Sequence, residues 1–179
     1  MASLSLGEII VRADHSVAFV HVDGPMRTSA YPGLAARALE AMPTLANHRC
    51  DNGAGLPSAR ELADTELPHA LEHVALDLLR RAGVRGTIRG ETSWDFALDG
   101  PGVFRVAIFG ADPTSARAAL EAGCEFVDQL TGSQGAAAST GAGHEREVAA
   151  ATDPAALVAR VRAARTAQRR PPTPRPRRR

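Results

Sequence analysis

The 179-residue chain has room for one folded domain and a tail, and its hydrophobic content of 44% is enough for a core. Its formal net charge of +1 conceals an asymmetry, because residues 132–179 hold ten Arg and three acidic residues, whereas residues 1–131 hold eleven Arg and seventeen acidic residues. The sequence shows neither a long apolar run nor a secretory leader, so we expect a cytoplasmic protein without a membrane span.

The first part of the chain predicts two strands and a helix. Residues 7–12 and 17–22 are rich in β-branched side chains and flank a short polar turn, which is typical of a β-hairpin. Residues 33–42 predict a helix that ends before Pro43, because proline cannot continue a helix.

A polar, Gly-rich segment follows at residues 45–55 and brings His48, Cys50 and Asp51 close together in sequence. Loops of this kind often carry functional side chains, but a plain connecting loop accounts for the segment equally well. We expect Cys50 and Cys124 to be reduced thiols, since two cysteines cannot build a disulfide framework.

The next segment predicts a helix that begins after an N-cap at Asp64 or Thr65, ends at Gly83, and carries the pattern H-x-x-E-H. His69 and His73 are four residues apart, so they lie on one face of a helix with Glu72 beside them. Two imidazoles at this spacing bind one zinc ion in zincins and inverzincins, and the carboxylate is placed to take a proton from water at the metal. The alternative is a helix whose histidines only flank an apolar core face.

The strands and helices that follow complete the predicted fold. Residues 84–89 and 102–109 predict two strands, and residues 112–130 predict an amphipathic helix. Strands that come in pairs favour an α+β fold over a doubly wound parallel sheet. We therefore predict a small mixed or antiparallel sheet with helices packed on one face.

The C-terminal part of the chain is predicted to be a flexible tail. We assign residues 1–131 to the α+β domain and residues 132–179 to the tail, which is rich first in Gly and Ala and then in Pro and Arg. Residues 153–170 favour a short helix, with Leu157, Val158 and Val161 on one side. The composition predicts that this tail contributes little to the stability of the fold.

The middle of the chain carries several motifs in a fixed order. They are His48-x-Cys50-x-x-Gly53, the helix at residues 69–78, Ala82-Gly83, Arg89-x-Glu91-Thr92 and Gly102-Val103-Phe104-x-Val106. Together they resemble the N-terminal domain of cyanophycin synthetase, the enzyme that builds an aspartate-arginine storage polymer. The resemblance covers roughly residues 45–130, and we expect a stand-alone form of this domain without the ATP-grasp and Mur-ligase-like domains of the synthetase.

The resemblance implies an α+β domain, which in some of these synthetases acts as a metal-dependent hydrolase that cuts the polymer into primers. Carried over to this chain, His69, His73 and His48 would be zinc ligands, and Glu91 is the competing third ligand. Glu72 would be the general base, and Arg89 would hold a substrate carboxylate or the developing oxyanion. Residues 56–60 replace the Gly-Gly-aromatic stretch expected after Cys50, which leaves the substrate preference open.

Three functions are compatible with these patterns. The leading hypothesis is a zinc-dependent hydrolase of peptide or isopeptide bonds, acting on a cyanophycin-like polymer or a related substrate. The second is a non-catalytic binding module that keeps the fold and recognises a polymer or a partner protein. The third is binding of nucleic acid or another polyanion by the Arg-rich tail, although that tail has no aromatic residue to stack on bases.

Overall fold

The computed structural model describes residues 3–50, 57–132 and 153–168. Within these ranges four strands form one antiparallel sheet, and helices complete the α+β fold that the sequence predicts. The strands are Ser3–Val11 (β1), His15–Asp23 (β2), Arg89–Ser93 (β3) and Val103–Phe109 (β4). Their order across the sheet is β1-β2-β4-β3, and all three pairs are antiparallel.

The helices lie against one face of the sheet. They are Leu34–Ala41 (α1), Ser58–Glu61 (α2), Leu67–Arg81 (α3), Phe96–Asp99 (α4), Pro113–Gly132 (α5) and Pro154–Gln168 (α6). Alternate side chains of the two central strands are buried beneath them, because successive strand residues point to opposite faces. These buried side chains are Ala18, Val20 and Val22 of β2 and Phe104, Val106 and Ile108 of β4. Helix α5 packs on β1 and β2, whereas α3 packs on β3 and β4.

The strand predicted at residues 84–89 is wrong. Val84 enters the core directly after α3, and Gly86 then turns the chain with a φ of +92°. The Arg80 guanidinium donates to the Gly86 carbonyl at 2.7 Å, which holds this turn against α3. Because the chain must turn before it can pair with β4, the strand begins only at Arg89.

Two short helices were not predicted, because four residues are too few to show a helical period. The side chain of Asp95 accepts hydrogen bonds from the N–H groups of Ala97 and Leu98, which caps α4. Across the described ranges, no helix has the length and apolar character needed to cross a membrane.

Helix α6 belongs to the folded structure, so residues 154–168 of the predicted tail contribute to the core. The predicted helix is present, but Leu157, Val158 and Val161 are buried in the common core against α5 and α3. Residues 133–152 and 169–179 of the predicted tail lie outside the described residues.

The arginines of α6 also bind the rest of the domain. Arg160 pairs with Glu125 of α5, whereas Arg162 and Arg165 donate to the carbonyls of Arg81 and Ala82 at 3.0 and 3.2 Å. Those carbonyls are at the C-terminal end of α3, where cationic donors are favourable. Docking of α6 therefore stabilises the helix that carries the H-x-x-E-H pattern.

Truncation after Gly132 should accordingly destabilise the domain. Loss of three buried apolar side chains, offset by the ordering entropy of α6, should cost about 3 kcal/mol and lower Tm by about 10 °C. Thermal unfolding followed by circular dichroism measures the change. The matched control ends the chain after Gln168 and should keep the wild-type Tm. Equal Tm values for the two truncations would show that α6 adds nothing to stability.

Candidate metal centre

Helix α3 positions the candidate site with one face in the core and the adjacent face towards a cleft. Leu71, Val74 and Leu78 are buried against α5 and the sheet. Gly123 of α5 allows this close packing, since a Cβ atom there would lie 2.8 Å from Cδ1 of Leu71. The predicted apolar face and the predicted histidine face therefore coexist, and neither excludes the other.

The described residues bring together one group of side chains that could hold a metal ion, and it consists of Cys50, His69 and His73. Each offers one ligand atom, and the three atoms lie within 4.8 Å of one another. The Cys50 Sγ atom is 3.1 Å from Nε2 of His69. Two ligands thus come from successive turns of α3, and the third comes from the loop after the 3-10 helix Pro43–Asn47.

The His69 ring is oriented by a residue just before α3. Oγ1 of Thr65 lies 2.7 Å from Nδ1 of His69, and the Thr65 N–H donates to Oγ1 of Thr28. Thr65 was predicted as a helix N-cap, but the N-cap position is Glu66, and no side chain caps it. The hydroxyl of Thr65 instead contacts Nδ1 of His69. Nε2 of the same ring then faces the Cys50 thiol.

His73 has the burial and the free ring nitrogen expected of a metal ligand. Its ring is about 2% exposed, and burial lowers its pKa to about 3, so the imidazole is neutral. Nε2 of His73 is buried and has no hydrogen-bond partner within the described ranges. A buried polar atom is normally paired, and a metal ion would satisfy this one. One thiol and two imidazoles also form a donor set that suits zinc.

His48 and Glu91, the two alternatives predicted for the third ligand, are not members of this group. His48 lies behind His73, with its Nδ1 atom 3.3 Å from Nδ1 of His73 and its Nε2 atom 3.3 Å from Oδ1 of Asp77. The Glu91 side chain is 60% exposed and lies 3.6 Å from the Arg89 guanidinium. Their ligand roles stay predictions, whereas the structure brings the Cys50 thiol to the third position.

Glu72 lies in the same helix face but outside the ligand group. Its side chain is almost fully buried, and Oε2 accepts a hydrogen bond of 2.7 Å from Oγ1 of Thr92. Burial raises the pKa of the Glu72 carboxyl, which makes it more basic than an exposed carboxylate. Gly90 of β3 leaves room for this side chain, because a Cβ atom there would collide with the Glu72 carboxyl group.

Comparison with known proteins agrees with the resemblance of the motifs. The sequence model of one family, described as the cyanophycin synthase-like N-terminal domain, matches residues 19–132, which is more than half of the chain. The chain belongs to this family. None of the curated proteins matches it. The match runs from β2 to the end of α5 and includes all the site residues named above.

In this cyanophycin synthase-like N-terminal domain the candidate metal centre opens into a cleft of about 800 Å³. Arg89, predicted to contact substrate, lies at the cleft with its guanidinium carbon 3.6 Å from the centre of the Phe109 ring. Trp94 is half-exposed and packs at tilted angles against Phe96 and Phe104 beside the cleft. Positively and negatively charged side chains both line the walls of the cleft. They are Arg27, Arg49, Arg89, Glu61, Asp64, Glu66 and Glu91.

Cys50 was not predicted as a member of the candidate ligand group, and Thr65, Thr92 and Asp77 were not predicted as neighbours of the site side chains. One signal for Cys50 was available, because the H-x-C spacing places His48 and Cys50 on the same side of an extended segment. A signal for Asp77 was also available, since residues 69, 73 and 77 follow one another on a single helix face.

Proposed function

We propose that this domain is a metal-dependent hydrolase of peptide or isopeptide bonds, with zinc held by Cys50, His69 and His73. The observation that supports the proposal most strongly is the buried, unpartnered Nε2 atom of His73 beside a thiol and a second imidazole, within the part of the chain that the structure describes. Zinc bound there would supply Lewis acidity, which polarises a carbonyl group and lowers the pKa of water towards ~7.

Glu72 is the residue that would move the proton. Its carboxylate is in the same cleft as the two helix histidines, and the hydrogen bond from Thr92 holds Oε2 in one orientation. The other oxygen is then the one that accepts a proton from attacking water and passes it to the leaving nitrogen. A raised pKa brings this carboxyl closer to the working pH of a general base.

The walls of the cleft favour a substrate that carries both charges. Guanidinium groups of Arg49 and Arg89 suit a substrate carboxylate, whereas the exposed Glu91 suits a cationic side chain. An aspartate-arginine polymer, or a peptide-like molecule of similar chemistry, has both groups. Arg89 would fix the carboxylate close to the bond that is cut.

The test of this proposal is hydrolysis that depends on the metal. Purified protein should release smaller fragments from an aspartate-arginine polymer, a chelator should stop the release, and added zinc should restore it. Mass spectrometry of the products identifies the bond that is cut. Hydrolysis that continues at the full rate without metal would contradict the proposal. Binding of the polymer without hydrolysis would instead indicate the non-catalytic recognition module.

Binding of nucleic acid or another polyanion by the C-terminal arginines stays a separate hypothesis. The arginines of α6 that the structure describes contact Glu125 and the end of α3, so they are already engaged within the domain. The remaining arginines of that segment lie in ranges outside the described residues.

A further inference from the structure

Three polar side chains form a continuous line that ends at the candidate metal centre. Oδ1 of Asp77 lies 3.3 Å from Nε2 of His48, and Nδ1 of His48 lies 3.3 Å from Nδ1 of His73. Asp77 and His73 are each about 2% exposed, and the His48 side chain between them is 16% exposed, so both ends of the line are buried. Asp77 is one helical turn after His73 on α3, and His48 lies between their side chains.

The chemistry of these groups determines which ring nitrogens carry protons. A carboxylate can only accept a hydrogen bond, so the 3.3 Å contact with Oδ1 of Asp77 favours the His48 tautomer with its proton on Nε2. In the neutral ring the other nitrogen, Nδ1, is then an acceptor. The nitrogen of His73 that faces it must donate, which places the single proton of His73 on Nδ1.

We propose that Asp77 and His48 are positioning residues that fix His73 in the tautomer with its proton on Nδ1, so that the lone pair of Nε2 is available to the metal. This inference accounts for the buried Nε2 atom of His73, which has no other partner among the described residues. It also gives His48 a role other than that of a ligand. Partners of this kind orient metal-binding histidines and raise their basicity.

The line has a counterpart at the other histidine of α3. Nδ1 of His69 lies 2.7 Å from the Thr65 hydroxyl, and that hydroxyl is 3.4 Å from Oε2 of Glu66. In both histidines Nδ1 is therefore engaged by a polar neighbour, which leaves Nε2 as the ring nitrogen that could bind a metal. The protonation pattern is better determined at His73 than at His69. The line to His73 begins at a carboxylate, which only accepts, whereas the neighbour of His69 is a hydroxyl, which can either donate or accept.

This inference rests on the proposed metal site. A measurement on the metal-free chain tests the tautomer of His73 separately from the binding of metal. Nitrogen NMR of the full chain with ¹⁵N-labelled histidine should show His73 protonated at Nδ1 before any metal is added. Protonation at Nε2 would overturn the inference, whatever the protein later proves to bind.

Zinc affinity of four variants then tests the roles of the two residues. His48→Ala and Asp77→Asn should weaken zinc binding by about 10- to 100-fold, the usual cost of losing such a partner. The amide that Asp77→Asn introduces can donate to His48 and so favour the wrong tautomer of His73. His48→Gln should stay within about threefold of wild type, because an amide can donate to Asp77 and accept from His73. His21→Ala is the matched control on the exposed side of β2 and should change nothing.

A cobalt-substituted protein distinguishes positioning from ligation by His48. If His48 only positions His73, the visible ligand-field bands of the cobalt form of His48→Gln should match those of wild type. Changed bands, together with equal losses of affinity in His48→Gln and His48→Ala, would show that His48 is itself a ligand and would overturn the inference. Unchanged zinc affinity in both Asp77→Asn and His48→Ala would overturn it as well.

Discussion

Replacing either helix histidine, as His69→Ala or His73→Ala, should abolish stoichiometric zinc binding. Among the residues that the structure describes, the ligand group contains three protein atoms, and two remaining ligands do not hold zinc tightly. Removing a residue that only hydrogen-bonds to a metal ligand lowers metal affinity by about 10- to 100-fold. Removing a ligand itself should therefore lower zinc affinity by more than about 100-fold. Metal analysis after dialysis, with affinities from competition against a chelator, measures the effect.

The cysteine and a surface histidine provide the comparison variants. Cys50→Ser should lower zinc affinity in the same way, because a hydroxyl is a much weaker zinc ligand than a thiolate. His21→Ala removes an exposed histidine of β2 and should leave the metal content unchanged. Wild-type zinc content in both the His69 and the His73 variant would remove the catalytic interpretation altogether.

Glu72→Gln should separate catalysis from metal binding. Gln keeps the size of the side chain and can still accept the hydrogen bond from Thr92, but it has no basic carboxylate. Zinc content should therefore stay at the wild-type level, whereas hydrolysis should fall by roughly 10²- to 10⁴-fold, the usual contribution of a general base. Single-turnover hydrolysis of an aspartate-arginine polymer, measured beside the zinc content of the same sample, gives both quantities.

The matched control for this variant is Glu91→Gln. Glu91 is exposed, paired with Arg89 and assigned to substrate binding, so its replacement should preserve the zinc content and, at saturating polymer, the rate of a single turnover, and should weaken only the binding of the polymer. If Glu72→Gln keeps full activity and Glu91→Gln loses it, the base is Glu91 and the assignment of Glu72 is wrong. If wild type binds the polymer and never cuts it, the domain is a recognition module with a metal site.

Much of the fold could be predicted because its signals are local. The hairpin of β1 and β2 follows from β-branched residues on both sides of a polar turn, and α5 follows from its apolar period. The position of β3 could not be predicted, since residues 84–89 have strand-like composition and the turn at Gly86 depends on contacts with α3. Tertiary contacts thus override local propensity at that point.

The docking of α6 on the domain could not be predicted from the sequence for a related reason. Its composition is dominated by Ala and Arg, so the sequence shows only a weak apolar side. Whether Leu157 and Val161 are buried depends on the groove between α3 and α5, which exists only in the folded domain. The arginines that suggest a solvated tail are used in part to cap the end of α3.

The relative placement of the candidate site residues could be predicted where spacing along one helix decides the geometry. His69, Glu72 and His73 share a face because of the helical repeat alone. The choice among Cys50, His48 and Glu91 depends on how a loop and an edge strand approach α3, and no local pattern contains that information. The structure brings the thiol into the ligand group, places His48 behind His73, and leaves Glu91 beside Arg89.

Anomalous diffraction from crystals of the zinc-loaded protein, recorded on both sides of the zinc absorption edge, tests the central claim most directly. The metal centre proposed here predicts about one zinc peak per chain, bonded to Sγ of Cys50 and to Nε2 of both His69 and His73. His48 should lie outside bonding distance of that peak. A peak bonded to His48 or Glu91 in place of Cys50, or no peak in the cleft at all, would contradict this metal centre.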